Sequence, residues 1–429
     1  MIQAVGICSS VIWNMRKATN CMKKILWLSN FCFCEEANTG SGTWIESMGK
    51  ALVQSGKYDL CNITLGPVNE PVQINACGIR QWVFPIKAVA RKALWELPHE
   101  KILRAICRVA NDIKPDLVHV WGIERFWGLL TARKLIDYPA LLEMQGIPSA
   151  MAPYMTGCLE QSDLRKCFRL KEVLRPSLSL PDQQKRFRAA AQAEREIIRG
   201  HRFIDYQSEW IRSYVEPVQN GATMFKTRMI LREEFLRCDA WRYRSNNHVV
   251  FASCGWAANK GVHVLIEACR MLQGRFPDIQ LRVAGGFSSG IRRSGYQKFA
   301  MDMAKGLDVV RLGGLSPNQM IEEMHNAAVY VNPSLVESYS MSLAEAMAVG
   351  CPCVATYAGA MPEVGGDACL YFPIVDAGAL QGCIAKVFEM KDGVRSMSEK
   401  AREKSMADHD QTKAVERQIE IYESVLKNI

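Results

Sequence analysis

The feature that most limits how this chain can fold is an alternation of short apolar runs with helix-like stretches. It runs once through the first half, breaks off, and restarts at residue 248. In the first half Ile25–Ser29, Asp59–Leu65, Leu117–Trp121, Ala140–Met144 and Phe203–Gln207 read as strands. Thr43–Gln54, Lys101–Ile113, Phe126–Leu135 and a long polar helical region lie between them. Residues 216–247 break the rhythm with Pro, Gly and a charged tail. After them come strands His248–Ser253, Gln280–Ala284, Val309–Leu312, Ala328–Asn332, Cys353–Thr356 and Cys369–Phe372, separated by helices near 261–273, 294–305, 317–326, 343–349 and 377–390. Alternation of this kind builds parallel α/β sheets with helices on both faces. A chain of 429 residues exceeds the roughly 250–300 at which a single core stops growing. The expected fold is therefore α/β, with two Rossmann-like doubly wound parallel-sheet domains: 22–216, a linker at 217–247, and 248–410. A closing helix over 411–429 is free to pack on either domain. Sheets of this type bind ligands beyond the carboxyl ends of their strands.

Composition narrows the function classes. No apolar run reaches the roughly 20 residues that cross a bilayer. Residues 1–21 interrupt their apolar residues with Asn14, Arg16, Lys17 and Asn20, unlike a secretory signal, and read as an extension ahead of a fresh start at Met22. The sixteen cysteines are scattered through apolar segments as small buried hydrophobes are, which suits a cytoplasmic protein. The pairs Cys32/Cys34 and Cys351/Cys353 lack the spacing of zinc sites, so no metal is expected. Of the net charge of +9, residues 161–202 supply +6, from eleven Lys/Arg against five Asp/Glu. That segment reads as a solvated helical face or as a patch for an anionic membrane surface, with Phe168, Leu170, Leu174 and Phe187 as apolar neighbours. Basic residues interleaved with stacking aromatics are missing, so no nucleic-acid partner is expected.

Two segments carry chemistry. In 328–364, a strand ending at Asn332 leads through a Pro-Ser turn to Glu337 and, eight positions on, Glu345, with Ser-Tyr-Ser-Met-Ser between them. A helix starting near Ser342 would aim its free amides and positive dipole end at the strand tips, where a diphosphate fits. In 251–286, strand FASCGW runs into Asn259-Lys260-Gly261 and a helix, and strand LRVAGG follows. Lys260 is placed there to meet a phosphate as a point charge. Taken singly, a Glu at a helix start is a capping residue and a Lys-Gly is surface decoration; the ordered frame points to a shared ligand.

These segments resemble the retaining glycosyltransferases of family 4, which have the two-domain GT-B fold facing a central cleft. The matching residues are Gly255, Lys260-Gly261, LRVAGG, VRLGGLSPNQMIEEMHNA at 310–327, PSLVESYSMSLAEAMAVGCPCVA at 333–355 and AMPEV at 360–364. The resemblance implies that Glu345 accepts hydrogen bonds from the donor ribose, that Lys260 offsets diphosphate charge, and that the backbone at Met341, Ser342 and Leu343 contacts the phosphates. It implies that Glu337 sits beside the transferred sugar as the catalytic residue. The donor would be a nucleotide-diphosphate sugar, with no cofactor or metal, and the acceptor a glycan or lipid-linked saccharide of cell-surface polymer synthesis. The protein would then be cytoplasmic or peripheral on the inner face of the membrane.

The sequence departs from the family pattern in several places. The loop before Lys260 reads Trp256-Ala257-Ala258-Asn259 where many members carry Arg. Ser340 replaces a frequent Gly, so either its backbone is ordinary or its hydroxyl donates a bond. Gln145 stands where many members end a strand with His, and can bond a donor hydroxyl but not transfer its proton near pH 7. Gly42, in Thr39-Gly40-Ser41-Gly42, suits the loop approaching the donor phosphate. GSGTWI imitates a dinucleotide fingerprint, but Ile45 holds the third glycine position. His119 reads as a core histidine, and Asp408-His409-Asp410 imitates a metal motif away from any strand end. The alternative readings are a sugar-nucleotide epimerase of the same architecture and a silent sugar-nucleotide-binding partner subunit.

Overall fold

The computed structural model describes residues 22–34, 43–88, 95–288, 293–391 and 393–429. The expected residues Gly42 and 1–21 lie outside this range. Among the described residues, the N-terminal domain holds an eight-stranded sheet: β1 (Lys23–Leu28), β2 (Tyr58–Gly66), β3 (Val72–Ala76), β4 (Ile79–Pro85), β5 (Leu117–Trp121), β6 (Ala140–Met144), β7 (Phe203–Tyr206) and β8 (Thr223–Lys226). The spatial order is β3-β4-β2-β1-β5-β6-β7-β8, parallel throughout except for the antiparallel β3–β4 pair. The C-terminal domain holds β9 (Val249–Ala252), β10 (Gln280–Ala284), β11 (Asp308–Gly313), β12 (Val329–Asn332), β13 (Cys353–Thr356) and β14 (Cys369–Phe372). Their order is β11-β10-β9-β12-β13-β14, all parallel. Both sheets are doubly wound. Helices cover both faces, which is why β5, β7, β12 and β13 are buried along their whole length.

The linker expected over 217–247 contains β8, which pairs with β7 and carries the N-terminal sheet to Lys226. The principal helices are α1 (Thr43–Gln54), α2 (Glu100–Ile113), α3 (Leu180–Arg199), α4 (Val262–Leu272), α5 (Met341–Val349), α6 (Gly393–Asp408) and α7 (Gln411–Lys427). Although it ends the chain, α7 packs on the N-terminal domain. Its Tyr422 hydroxyl accepts from Trp27 Nε1 at 3.0 Å, and its Ile421 and Val425 join the cluster of Ile25, Trp27 and Leu117. Residues 161–178 also cross between domains. Glu172 accepts from the Gly295 amide at 3.0 Å, and Cys167 is part of the C-terminal core.

Reversal of winding direction fixes where loops can open. In the C-terminal sheet the switch lies between β9 and β12, and in the N-terminal sheet between β1 and β5. The loops after these four strands face one another across the interdomain cleft.

Candidate active site

The cleft between the domains is a cavity of about 870 Å³, in the range that holds a drug-sized ligand. Its C-terminal wall is made by the two switch-point loops. They are held together by Gly261, whose φ is +69° and whose place a Cβ could not share, since it would lie 2.0 Å from the Pro333 carbonyl oxygen. Leu335 N donates to Asn259 O at 2.9 Å across the same junction. This joint brings Lys260 Nζ to 2.6 Å from Glu337 Oε1. Burial works against the Lys260 charge, but the Glu337 carboxylate outweighs it and raises the ammonium above its ordinary value.

At the next turn α5 begins at Met341, and Ser340 before it has φ 87° and ψ 71°. That is left-handed backbone, unusual for a residue with a Cβ. Neither sequence expectation for Ser340 describes this state: the backbone is not ordinary, and the hydroxyl accepts a bond from Asn332 Nδ2 at 2.7 Å. The Ser340 side chain does not cap α5. The helix start at Met341 and Ser342 thus lies on the cleft wall, the end at which a helix leaves its first amides free of intrahelical partners.

Glu345, one turn into α5, is buried and raised by that burial, while Arg232 holds it back. Arg232 Nη2 lies 2.7 Å from Glu345 Oε1 and belongs to the segment joining the domains. Sequence reading passed over Arg232, because 113 residues separate it from its partner.

The opposing wall comes from the N-terminal domain. Gln145 lies just beyond β6, and its backbone carbonyl accepts from Ser338 Oγ beside Glu337. Glu124 follows β5 and lines the same cleft. Burial, with the nearby Glu143 adding to it, pushes its carboxyl to about 7. Below these two, His119, Glu143 and Asp205 project to one face of β5, β6 and β7 and are wholly buried. Gln207 Nε2 donates to Glu143 Oε1 at 2.8 Å, and His119 Nδ1 contacts the Tyr422 hydroxyl at 2.8 Å. Burial raises Glu143 to about 7, and burial plus Glu143 raises Asp205 well above its usual range. Two adjacent buried carboxyls resist ionising together, and the pair favours keeping a proton between them. His119 is wholly buried, but its Nε2 finds no hydrogen-bond partner among the described residues. His409 is structural: Nδ1 contacts the Ser405 carbonyl at 2.8 Å and Nε2 the Tyr339 hydroxyl at 2.8 Å, while Asp410 caps α7.

Residues 243–404 match the family described as glycosyl transferases group 1. The match spans nearly all of the C-terminal domain. Among relatives, a putative colanic acid biosynthesis glycosyltransferase of Salmonella typhimurium is 32% identical over 171 residues, covering 37% of this chain and 41% of that one. A lipopolysaccharide 1,2-N-acetylglucosaminetransferase of the same organism is 36% identical over 110 residues, 24% of this chain and 29% of that one. The aligned region thus spans well under half the length of these relatives. The solved sucrose-phosphate synthase of Thermosynechococcus elongatus superposes with TM-score 0.74 at 17% identity, covering 95% of this chain and all of that one. Anabaena HepE in complex with UDP-glucose superposes with TM-score 0.64 at 14% identity over 94% of this chain and 99% of that one. The fold is GT-B, as the sequence resemblance implied.

Proposed function

We propose that the protein transfers a sugar from a nucleotide-diphosphate donor to a glycan or lipid-linked acceptor, with retention of anomeric configuration, in cell-surface polysaccharide or glycolipid synthesis. The observation that carries this reading is the Lys260–Glu337 pair beside the uncapped start of α5 at the switch point of the C-terminal sheet. The donor diphosphate lies against the amides of Met341, Ser342 and Leu343 and against Lys260. In this scheme these groups offset its charge without a metal ion. Glu345, oriented by Arg232, accepts from the ribose hydroxyls. Glu337 meets the transferred sugar, and Gln145 reaches its hydroxyls from the facing wall. The anomeric carbon–oxygen bond to the diphosphate breaks as the acceptor oxygen bonds to that carbon on the same face. The departing diphosphate oxygen takes the acceptor proton. The named relatives of colanic acid and lipopolysaccharide synthesis support the polymer class, and the UDP-glucose complex of HepE supports the donor class.

The second part of the proposal concerns location. Among the described residues no helix is long and apolar enough to cross a membrane. Residues 161–178 expose Leu170 (74%), Leu174 (72%) and Val173 (61%) beside Arg165, Lys166, Arg169, Lys171 and Arg175. Apolar side chains ringed by basic ones suit an anionic bilayer surface, each cation contributing on the order of 1 kcal/mol. On this reading the protein works at the inner face of the membrane.

The test is incubation with a panel of labelled UDP-, GDP- and ADP-sugars, scoring binding, hydrolysis and transfer to glycolipid extracts, and reading product configuration by NMR. Failure of every nucleotide sugar to bind would refute the reading.

A further inference from the structure

Glu124 is a side chain that the donor scheme above does not use, and it sits where the N-terminal sheet reverses its winding. It follows β5 by three residues, at the switch between β1 and β5. Its carboxyl is turned back toward β6 by the chain itself. Gly122 has φ +89°, and a Cβ there would lie 2.0 Å from Glu124 Oε2 and 3.2 Å from Gln145 Oε1. Only a glycine leaves the room that the carboxyl and the amide share. Across the loop, a Cβ on Gly146 would meet Glu124 Oε1 at 3.2 Å.

Two polar atoms of this pair, Glu124 Oε2 and Gln145 Nε2, are shielded from bulk water and find no hydrogen-bond partner among the described residues. Buried polar groups left unmatched are costly and call for an explanation. One is an acceptor oxygen and the other an amide donor. A single hydroxyl satisfies both, donating its proton to the carboxyl oxygen and accepting from the amide.

The surroundings specify the rest of the ligand. Trp95 is tied to this loop by Nε1, which donates to the Ile123 carbonyl at 2.9 Å, and its ring meets Phe187 edge-on with centroids 5.5 Å apart. Trp95, Phe187, Pro148 and Met151 form the apolar side of the cleft next to Glu124. An aromatic wall beside a hydroxyl receptor suits the apolar face and rim hydroxyls of a pyranose ring. The donor-facing groups Lys260, Glu345 and the start of α5 all belong to the opposite wall.

Resting on the transferase reading, we propose that Glu124, with Gln145, is the receptor for a hydroxyl of the acceptor sugar, and that Trp95 and Phe187 flank that sugar's ring. Gln145 is then shared: it borders the donor sugar through the Ser338 contact and the acceptor through Glu124. The acceptor terminus is a carbohydrate residue, because the two unmatched atoms call for a hydroxyl.

The test uses the full chain and p-nitrophenyl glycosides of glucose, galactose, mannose and N-acetylglucosamine. Binding is followed by ligand-observed NMR with and without saturating UDP, GDP or ADP. Native protein is expected to bind at least one glycoside. Glu124→Ala should weaken that binding about tenfold, the scale of one lost hydrogen bond. Glu124→Gln, which keeps shape and one acceptor, should lose less and confirms that the fold is intact. Nucleotide affinity by calorimetry should stay within about twofold in both variants, since they leave the donor wall untouched. The inference is overturned if native protein binds no glycoside, or if Glu124→Ala binds it as well as native protein does. It is also overturned if the variant loses nucleotide-sugar affinity while glycoside binding is unchanged, which would assign the hydroxyl to the donor. Absence of nucleotide binding in native protein would instead sink the transferase reading and leave the glycoside result to be read by itself.

Discussion

Replacing Lys260 by alanine tests the donor wall most directly. The ammonium lies 2.6 Å from Glu337 Oε1 and is held charged by it. A nucleotide diphosphate brings at least two further negative charges to the same place. Loss of one charge-assisted hydrogen bond is about 1.5–3 kcal/mol, or about 10- to 150-fold in Kd. The surviving Glu337 carboxylate adds to the loss, because without Lys260 it faces the incoming diphosphate uncompensated. The double variant Lys260→Ala/Glu337→Gln should therefore bind more tightly than Lys260→Ala alone. Lys260→Arg should restore only part, since the planar guanidinium differs in reach from the compact ammonium. Calorimetric titration with the nucleoside diphosphate reads all four proteins. Unchanged affinity in Lys260→Ala would remove this residue from the site, and a double variant no better than the single would break the link to Glu337.

Four further outcomes are expected. Glu345→Ala should chiefly raise the donor KM, by about tenfold, because ribose contacts hardly change between bound donor and transition state. Glu337→Gln should lower kcat by more than it raises KM, since positive charge builds at the sugar beside it; steady-state kinetics of both variants separates the roles. Asp205→Asn should raise the melting temperature at pH 8 more than at pH 5. Burial raises both Glu143 and Asp205, so their contribution is whole below the ordinary carboxyl range and is lost as pH rises above it, through about 7 for Glu143. Leu170→Glu/Leu174→Glu should abolish sedimentation with anionic vesicles at low salt, and native binding should fall as salt screens charges over about 8 Å; equal binding to neutral vesicles would refute the electrostatic part.

The alternation of strands and helices was legible because parallel strands buried on both faces are continuous apolar runs. β5, β6, β10, β13 and α1 have the limits read from sequence. The β3–β4 hairpin was missed because β3 reads VQINA and exposes all but its last residue, leaving no apolar run. β8 and α6 were missed for the same reason: TMFK is only partly buried at its centre, and seven of the sixteen residues of α6 are charged. Lys260, Glu337 and Glu345 were legible because each lies on a loop or helix start next to its own strand. Arg232 and Glu124 were not, since what places them is contact between distant segments. The destination of α7 was left open by its sequence, and Tyr422 settles it by reaching Trp27 and His119 across the sheet.

The position of Glu337 relative to the facing wall depends on bonds between the domains more than on either domain alone. Ser338 Oγ donates to the Gln145 carbonyl, while Ser208 Oγ donates to the Ser338 carbonyl at 2.7 Å. Nearby, Lys226 bridges Glu209 at 3.2 Å and Glu363 at 2.7 Å, and the Glu209 amide donates to Glu363 at 2.8 Å. The Lys226 pairs are exposed and weak singly. The serine bonds are shielded and act on the residue next to Glu337. Opening the cleft would break them together and withdraw Glu337 from Gln145 and Glu124. Because the two walls of the site belong to different domains, the proposed sugar contact of Glu337 and acceptor contact of Glu124 come into register only when these bonds are made. On the proposed transferase reading, the reacting geometry is assembled by domain closure, and α7, anchored on the N-terminal sheet through Tyr422, joins it to the C-terminal domain.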